Sequence, residues 1–391
     1  MGKLHLSMIV TNGCDPDPRV LRFAKWLAQG GYEVSIYAYD RTEESLEFEE
    51  YFGVSIHRIH LGKTAYGGTI KTYFGKKKFN KEVENRLINK PLDFIYCHDG
   101  DTLLTGIRLK KKTKAKLIFD MHDHHFSWIR MANPKSITRK MLSFAQRILF
   151  ENRLKHPDLI ITSSASLANG KYPGFKEWLE SKGYPSIAIE NRPQNSKKRV
   201  GPISGQPFTI SYIGKVRDYD SISLLAETIV DLPDEIDVKL LIAGDGTDSK
   251  KVSDLLENLN HTRGLNYEIY GKFNDESKGE LLSKSSMMYA LYNPGRGNIL
   301  SGALPTKMFD AASYGIPSIV NSDCLMGELC KSNNWGYNVR WGSKEEITDA
   351  ILSELKNPKQ IEYISVDLHS ILLRYINQLS PNQLNHLNTN E

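Results

Sequence analysis

No stretch of this chain is both long and apolar. Hydrophobic residues make up 40% of the 391 positions and charged residues 25%, yet no run approaches the roughly 18 apolar residues of a membrane-crossing helix. A helical bilayer span is therefore excluded. Cysteine is scarce: Cys14, Cys97, Cys324 and Cys330 are scattered without CxxC spacing, so neither a disulfide framework nor a structural zinc site is indicated. A reducing cytoplasm is the expected compartment. The full G-x-G-x-x-G fingerprint of a dinucleotide loop is missing, and "GDG" at 244–246 is too short to replace it, which counts against NAD or FAD. No zinc-finger or RNP pattern occurs, and nucleic acid is not an expected partner. The opening "MGKLHLSMIVTNG" lacks the apolar core and small-residue cleavage site of a secretory leader and reads as a first strand.

Charge, by contrast, is unevenly spread. The net charge is +5, but "KTYFGKKKFNK" (71–81) and "RLKKKTKAK" (108–116) are strongly basic. Solvated helix or loop faces are the plain reading; the alternative is peripheral contact with an anionic membrane surface or a polyanionic acceptor.

Length points to two domains. Strand-like runs alternate with helical patterns along most of the sequence. "HLSMIV" (5–10) is followed by the helix of "PRVLRFAKWLAQGG", and then by strands at 32–40, 54–61, 93–98, 115–122 and 158–164, with a helical stretch at 136–155. A Pro-, Gly- and Ser-rich segment, "ENRPQNSKKRVGPISGQP" (190–207), reads as a linker. A second cycle follows, with strands at 208–214, 238–246, 267–273, 286–294 and 317–321 and helices at 219–230 and 248–259. The expectation is an α/β protein of two doubly wound domains facing a cleft, spanning 1–192 and 208–360, with 193–207 between them. A helix in 361–391 is expected to pack back on the first domain and end in a frayed polar tail.

"SGALPTKMFDAASYGIPSIV" (301–320) carries the chemistry that stands out. Pro305 suits a helix start, and Gly315 with Pro317 an end. The unpaired amides of such a start attract phosphate oxygens; Lys307 adds a cation, and Asp310 could accept from a vicinal diol. An exposed Lys307–Asp310 pair at i,i+3 is the rival reading. The loop "GRGNILSG" (295–302) is expected to wrap phosphates with its main-chain N–H groups. "DPD" (15–17) and "DGD" (99–101) read as turn chemistry. "HDHH" (122–125) holds metal-ligand residue types, but successive residues at a strand end point apart, so no metal site is expected.

"PTKMFDAASYGIPSIV" resembles the P-x-K-x-[FE]-E-x-x-A-x-G-x-P-V signature of the retaining glycosyltransferases of family four, which have the GT-B architecture of two Rossmann-like domains. "DPRVLRFAKWLAQGGYEVSIYA", "DFIYCHD", "LIFDMHD", "DLIITSSASLA", "IENRP", "ISYIGKV", "LLIAGDG" and "YGKFNDESKGELLSKSSMMYALYNP" match in order and cover almost the whole chain. The resemblance implies a metal-independent enzyme without cofactor that moves sugar from a nucleoside-diphosphate donor to a glycan or lipid-linked acceptor, in cell-surface polysaccharide synthesis. It implies catalytic roles for His122 and Lys215. The donor site would use Gly13, Gly214, Arg217, Gly302, Ala303, Leu304, Lys307 and Asp310, and the acceptor side Asp15, Arg19, His98 and Asp99. Two departures stand out. The family's Glu-x7-Glu becomes Gly302 and Asp310, and "GKVRDYDS" lacks the usual Lys-Gly after its basic residue. A binding or scaffold protein that has lost activity, or a sugar-nucleotide epimerase of the same architecture, are the rival functions.

Overall fold

The computed structural model describes residues 2–15, 17–64, 70–127, 129, 136–196 and 207–380. Most of the expected linker (197–206) and the expected frayed tail (381–391) lie outside the described residues. The chain divides into two compact units, one of 1–165, 174–190 and 367–391, the other of 166–173 and 191–366.

The first unit is built on strands β1 (His5–Val10), β2 (Glu33–Tyr39), β3 (Phe48–Tyr51), β4 (Val54–Ile59), β5 (Phe94–His98), β6 (Lys116–Met121), β7 (Leu159–Thr162) and β8 (Ile187–Ala188). Their order is β3-β4-β2-β1-β5-β6-β7-β8. All pairings are parallel except β3 with β4. The central strands are buried almost end to end, as a sheet covered on both faces requires. Its helices are α1 (Pro18–Gln29), α2 (Ile70–Leu87), α3 (Leu103–Thr113), α4 (Ile137–Glu151) and α5 (Phe175–Glu180). Helix α1 starts as its sequence dictates: Asp17 accepts the Val20 amide at 3.2 Å, Pro18 occupies the first helical position, and Gly30 closes the end.

The second unit carries β9 (Phe208–Ile213), β10 (Val238–Ala243), β11 (Tyr267–Gly271), β12 (Met287–Ala290), β13 (Ser318–Asn321) and β14 (Gly336–Val339) in the all-parallel order β11-β10-β9-β12-β13-β14. This is the doubly wound order of nucleotide-binding sheets. Its helices are α6 (Tyr219–Ile229), α7 (Ser249–Arg263), α8 (Asp275–Ser283), α9 (Thr306–Ser313), α10 (Leu325–Ser332) and α11 (Lys344–Lys356). The last helix, α12 (Leu368–Gln378), belongs to the first unit. Its Leu368, Leu372 and Ile376 join the core formed by Met8, Val20, Phe23 and Leu27.

The expected boundaries need two corrections. Residues 166–173 leave the first unit because the Lys171 and Tyr172 amides donate to Glu328 at 2.7 and 3.4 Å, and Leu167 and Tyr172 pack on the Phe309–Trp335 core. The second unit extends to Val366, since Tyr363 stacks on Trp335 and its hydroxyl donates to the Pro193 carbonyl at 2.7 Å. Pro305 is the cap of α9 rather than its first helical residue: its ψ of 141° is extended, and helical geometry starts at Thr306.

Candidate active site

Each sheet reverses winding direction at one point, between β1 and β5 in the first unit and between β9 and β12 in the second. At such a point the loops after neighbouring strands leave in opposite directions, opening a crevice at the carboxyl edge. The residues singled out from sequence fall around these two places.

In the first unit Asp120, fully buried near the end of β6, is the hub. Arg19 grips it bidentately through Nε at 3.0 Å and Nη2 at 2.7 Å. His122 Nε2 lies 3.1 Å from it, Tyr96 donates its hydroxyl at 3.3 Å, and His98 Nδ1 stands 3.6 Å away. Strand geometry makes this arrangement: Asp120 and His122, two residues apart, point the same way, and the parallel register places His98 beside Asp120. The other nitrogen of His122, Nδ1, faces Asp99 at 3.5 Å. Asp99 sits in the left-handed region with φ of 62°, a strained setting for a residue with a side chain.

Burial opposes the charge on His122, but Asp99 and Asp120 outweigh it and raise the imidazole to about 9. Burial likewise opposes charge on Asp120, yet Arg19 and His122 hold its carboxyl well below the usual range. Burial raises the Asp99 carboxyl to about 7 even though His122 pulls the other way. His122 is thus an imidazolium at neutral pH, held by the Asp120 carboxylate on one side and facing Asp99 on the other.

In the second unit β9 ends at Gly214, whose φ of 146° is open to glycine and rarely to other residues. A Cβ there would lie 2.8 Å from the Cε of Lys307. The glycine therefore lets the Lys307 side chain run along the end of β9. Lys307 is only 7% exposed, and its ammonium sits 2.9 Å from the centroid of the Tyr212 ring, a cation–π contact of the desolvated kind. Lys215 and Arg217, on the same turn, are exposed. Helix α9 begins beside them without a side-chain cap on its first amides. Cations and a helix start thus share the carboxyl edge between β9 and β12, an arrangement that suits a multiply charged anion.

Two family models match the chain: glycosyltransferase family 4 over residues 19–170 and glycosyl transferases group 1 over residues 193–365. Both are glycosyltransferase models, and between them they match both halves of the chain. No functionally curated protein matches it by sequence. Solved structures similar to it include sucrose-phosphate synthase from Thermosynechococcus elongatus, at TM-score 0.69 and 14% identity, covering 96% of this chain and 95% of that one. The Anabaena protein HepE in complex with UDP-glucose aligns at TM-score 0.64 and 14% identity, covering 96% and 97%. An α,α-trehalose-phosphate synthase from Burkholderia vietnamiensis aligns at 0.58 and 11% identity, covering 97% of each chain. These likenesses establish the GT-B fold.

Several positions of this glycosyltransferase differ from their expected roles. Arg19 does not face an acceptor: it is 5% exposed, paired with Asp120, and donates to the Ile189 carbonyl at 2.7 Å. His98 is 1% exposed and stacked on Tyr96, so it touches nothing outside the protein and can act only through His122. Gly13 is buried, with its carbonyl held by Arg58 Nε at 2.9 Å. Asp15 is exposed and accepts from the Ser45 hydroxyl, while Asp17 caps α1. His124 and His125 turn away from His122 into an aromatic cluster with Phe126, Phe150, Phe175 and Trp178. His98, Asp120 and His122 do bring three ligand-type atoms within 4.8 Å. Arg19 already binds both Asp120 oxygens, however, so a divalent cation would compete with a buried guanidinium for the same carboxylate.

Much of the amide cradle expected of the loop 295–302 is engaged within the loop itself. Those of Gly297, Ser301, Gly302 and Ala303 donate to carbonyls inside the loop, and those of Gly295 and Ile299 to the side chains of Asn293 and Asn298. The Leu304 side chain is core. Gly302 closes the 3-10 turn Ile299–Ser301 with φ of 93°, so the glycine that stands in place of the family's first glutamate also fits its backbone. Asp310 is ion-paired with Lys278 of α8 at 2.6 Å, and Lys307 is too buried to form an exposed pair.

Sequence reading missed Asp120, Tyr212 and Lys278. Asp120 was accessible through its i,i+2 relation to His122; no local pattern announces the other two.

The raised His122 pKa sets a pH dependence. A group whose folded pKa exceeds its unfolded value adds stability below the unfolded value, and that stability disappears as pH rises through the folded one. The melting-temperature gap between the parent and His122→Asn is therefore expected to shrink as pH rises from neutral through about 9. A gap that stays constant across this range would contradict the clamped imidazolium.

Proposed function

We propose that the chain transfers a sugar from a nucleoside-diphosphate donor to a glycan or lipid-linked acceptor, in the making of a cell-surface polysaccharide. One observation carries the reading: Lys307 threads past Gly214, so that its ammonium, the start of α9, Lys215 and Arg217 gather at the switch point of the second sheet. Transfer requires a nucleoside diphosphate to leave while positive charge grows on the anomeric carbon. Fixed cations and helix amides that meet the growing negative charge lower that barrier without rearranging. In this role they supply the charge that a metal ion provides elsewhere. Asp310, ion-paired with Lys278, is the acceptor for the ribose hydroxyls. His122 presents positive charge to the sugar or the acceptor hydroxyl and does not act as a base, both of its ring nitrogens being turned to carboxyl groups. Retention of configuration is part of the proposal by family likeness. The complex of HepE with UDP-glucose favours a uridine diphosphate donor.

A screen of uridine-, guanosine- and other nucleoside-diphosphate sugars for binding and nucleoside diphosphate release tests the proposal. Binding and release with one donor class is expected. Binding without release from any donor, in the presence of membrane extracts as acceptor source, would favour the second reading, a non-catalytic partner. The missing carboxylate at Gly302 is the observation behind that reading.

A further inference from the structure

Helix α4 is mounted the wrong way round for a soluble surface. At about 100° per residue, Ile137, Met141, Phe144 and Ile148 fall within about 60° of one another, and Leu142 and Leu149 widen the arc to about 160°. All six are 46–74% exposed. Ser143 and Phe150, the residues that attach the helix, lie on the opposite side: the Ser143 hydroxyl donates to the Phe126 carbonyl at 2.7 Å, and Phe150 packs edge-on against Phe119. The apolar arc therefore points straight away from the protein. Scattered apolar side chains are normal on a surface, but a contiguous stripe of this kind marks a contact.

We infer that this face lies in the headgroup region of an anionic bilayer, with α4 parallel to the membrane plane. Three observations select that occupant. The helix carries Arg139, Lys140 and Arg147 but only one acid, Glu151, at its last position. Its apolar arc backed by a polar face is the pattern of a helix that lies on a membrane and does not cross it. And a second basic, aromatic surface belongs to the same side of the sheet. The connections through α2, α3 and α4 all step toward β7, so their common right-handedness puts the three helices on one face. There α2 exposes Tyr73 and Phe74 with Lys71, Lys77, Lys78 and Lys81.

The structure also sorts the two basic runs, for which contact with an anionic surface was the alternative reading. The run 108–116 is largely neutralised in place: Arg108 and Lys112 pair with Glu84 at 3.8 and 2.7 Å, and Lys110 and Lys116 with Asp158 at 2.6 and 3.6 Å. Lys76 pairs with Asp101. Exposed cations outside these pairs include Lys71, Lys77, Lys78 and Lys81 of α2 and Lys140 of α4. A second copy of the chain fits the apolar arc less well, because it would bring the cations of both copies together.

Parallel strands require each connecting helix to run back from the carboxyl edge, so α2 and α4 both start at the edge that carries Asp99 and His122. Docking there brings that edge to a lipid-borne acceptor. This deepens the proposed transfer, but its test needs no sugar nucleotide, so the two can fail separately. The full chain is sedimented with phosphatidylglycerol-containing and pure phosphatidylcholine vesicles, beside Phe144→Glu/Ile148→Glu and Lys77→Glu/Lys78→Glu. Preference for the anionic vesicles is expected, and the first variant should lose on the order of a hundredfold in partitioning, since it removes two large apolar anchors. The second should weaken binding to anionic vesicles, increasingly so at low salt. Both substitute exposed residues, and an unchanged melting temperature checks the fold. Absence of parental binding, or equal binding by all three proteins, overturns the inference. So does light scattering that shows a dimer dissociated by Phe144→Glu/Ile148→Glu without vesicle binding.

Discussion

Lys307→Met is expected to lower sugar transfer by about a hundredfold or more, the usual loss when one preorganised charge contact to a leaving group is removed. Methionine keeps an apolar stem alongside Gly214 and the Tyr212 ring, so the change removes the ammonium while leaving the packing largely filled. That distinguishes the variant from Lys307→Ala, which also leaves a gap beneath the ring. The loss should appear in kcat as well as in kcat/KM, because charge on the departing diphosphate grows toward the transition state. Transfer at parental rates by Lys307→Met would remove Lys307 from the chemistry and leave it as a residue of α9 that packs against β9.

Asp120→Ala is expected to cost about 3–5 kcal/mol of stability, the range for breaking a buried pair by removing one partner. Arg19, 5% exposed, would keep its charge with no carboxylate beside it, and His122 would lose one of its two anionic partners. Asp120→Asn, which retains one acceptor oxygen, should fall between the parent and the alanine variant. Denaturant unfolding measures both. A loss below about 1 kcal/mol, the level of a surface ion pair, would contradict the buried hub.

Much of the fold could be read from local sequence because its determinants are local. Long apolar strands alternating with capped helices dictate parallel, doubly covered sheets, and the breaks at Gly30–Gly31 and Gly315–Pro317 fall where the helices end. Short strands such as β3 and β8 were not legible: four and two residues carry too little pattern. In the candidate site, residue types were more legible than residue environments. His122 and Lys307 stand out by their motifs, and both lie at the carboxyl edges of their sheets. Arg19 looks like a loop cation because its partner is 101 positions away, and Asp310 looks unpaired because Lys278 lies on another helix. Such pairings depend on tertiary register, which periodicity does not encode. The amides of 295–302 were misjudged for a related reason. A Gly- and Asn-rich loop satisfies its own backbone donors when it folds into successive 3-10 turns, and those donors are then no longer available to a ligand.

The central claim, that the edge around Gly214, Lys215 and Lys307 holds the diphosphate of a sugar nucleotide, is tested most directly by calorimetric titration of uridine diphosphate and uridine. Both ligands are titrated into the parent and into Lys307→Met. The predicted result is a loss of about tenfold or more in uridine diphosphate affinity on substitution, with uridine affinity unchanged. Equal uridine diphosphate affinity for the two proteins would contradict it.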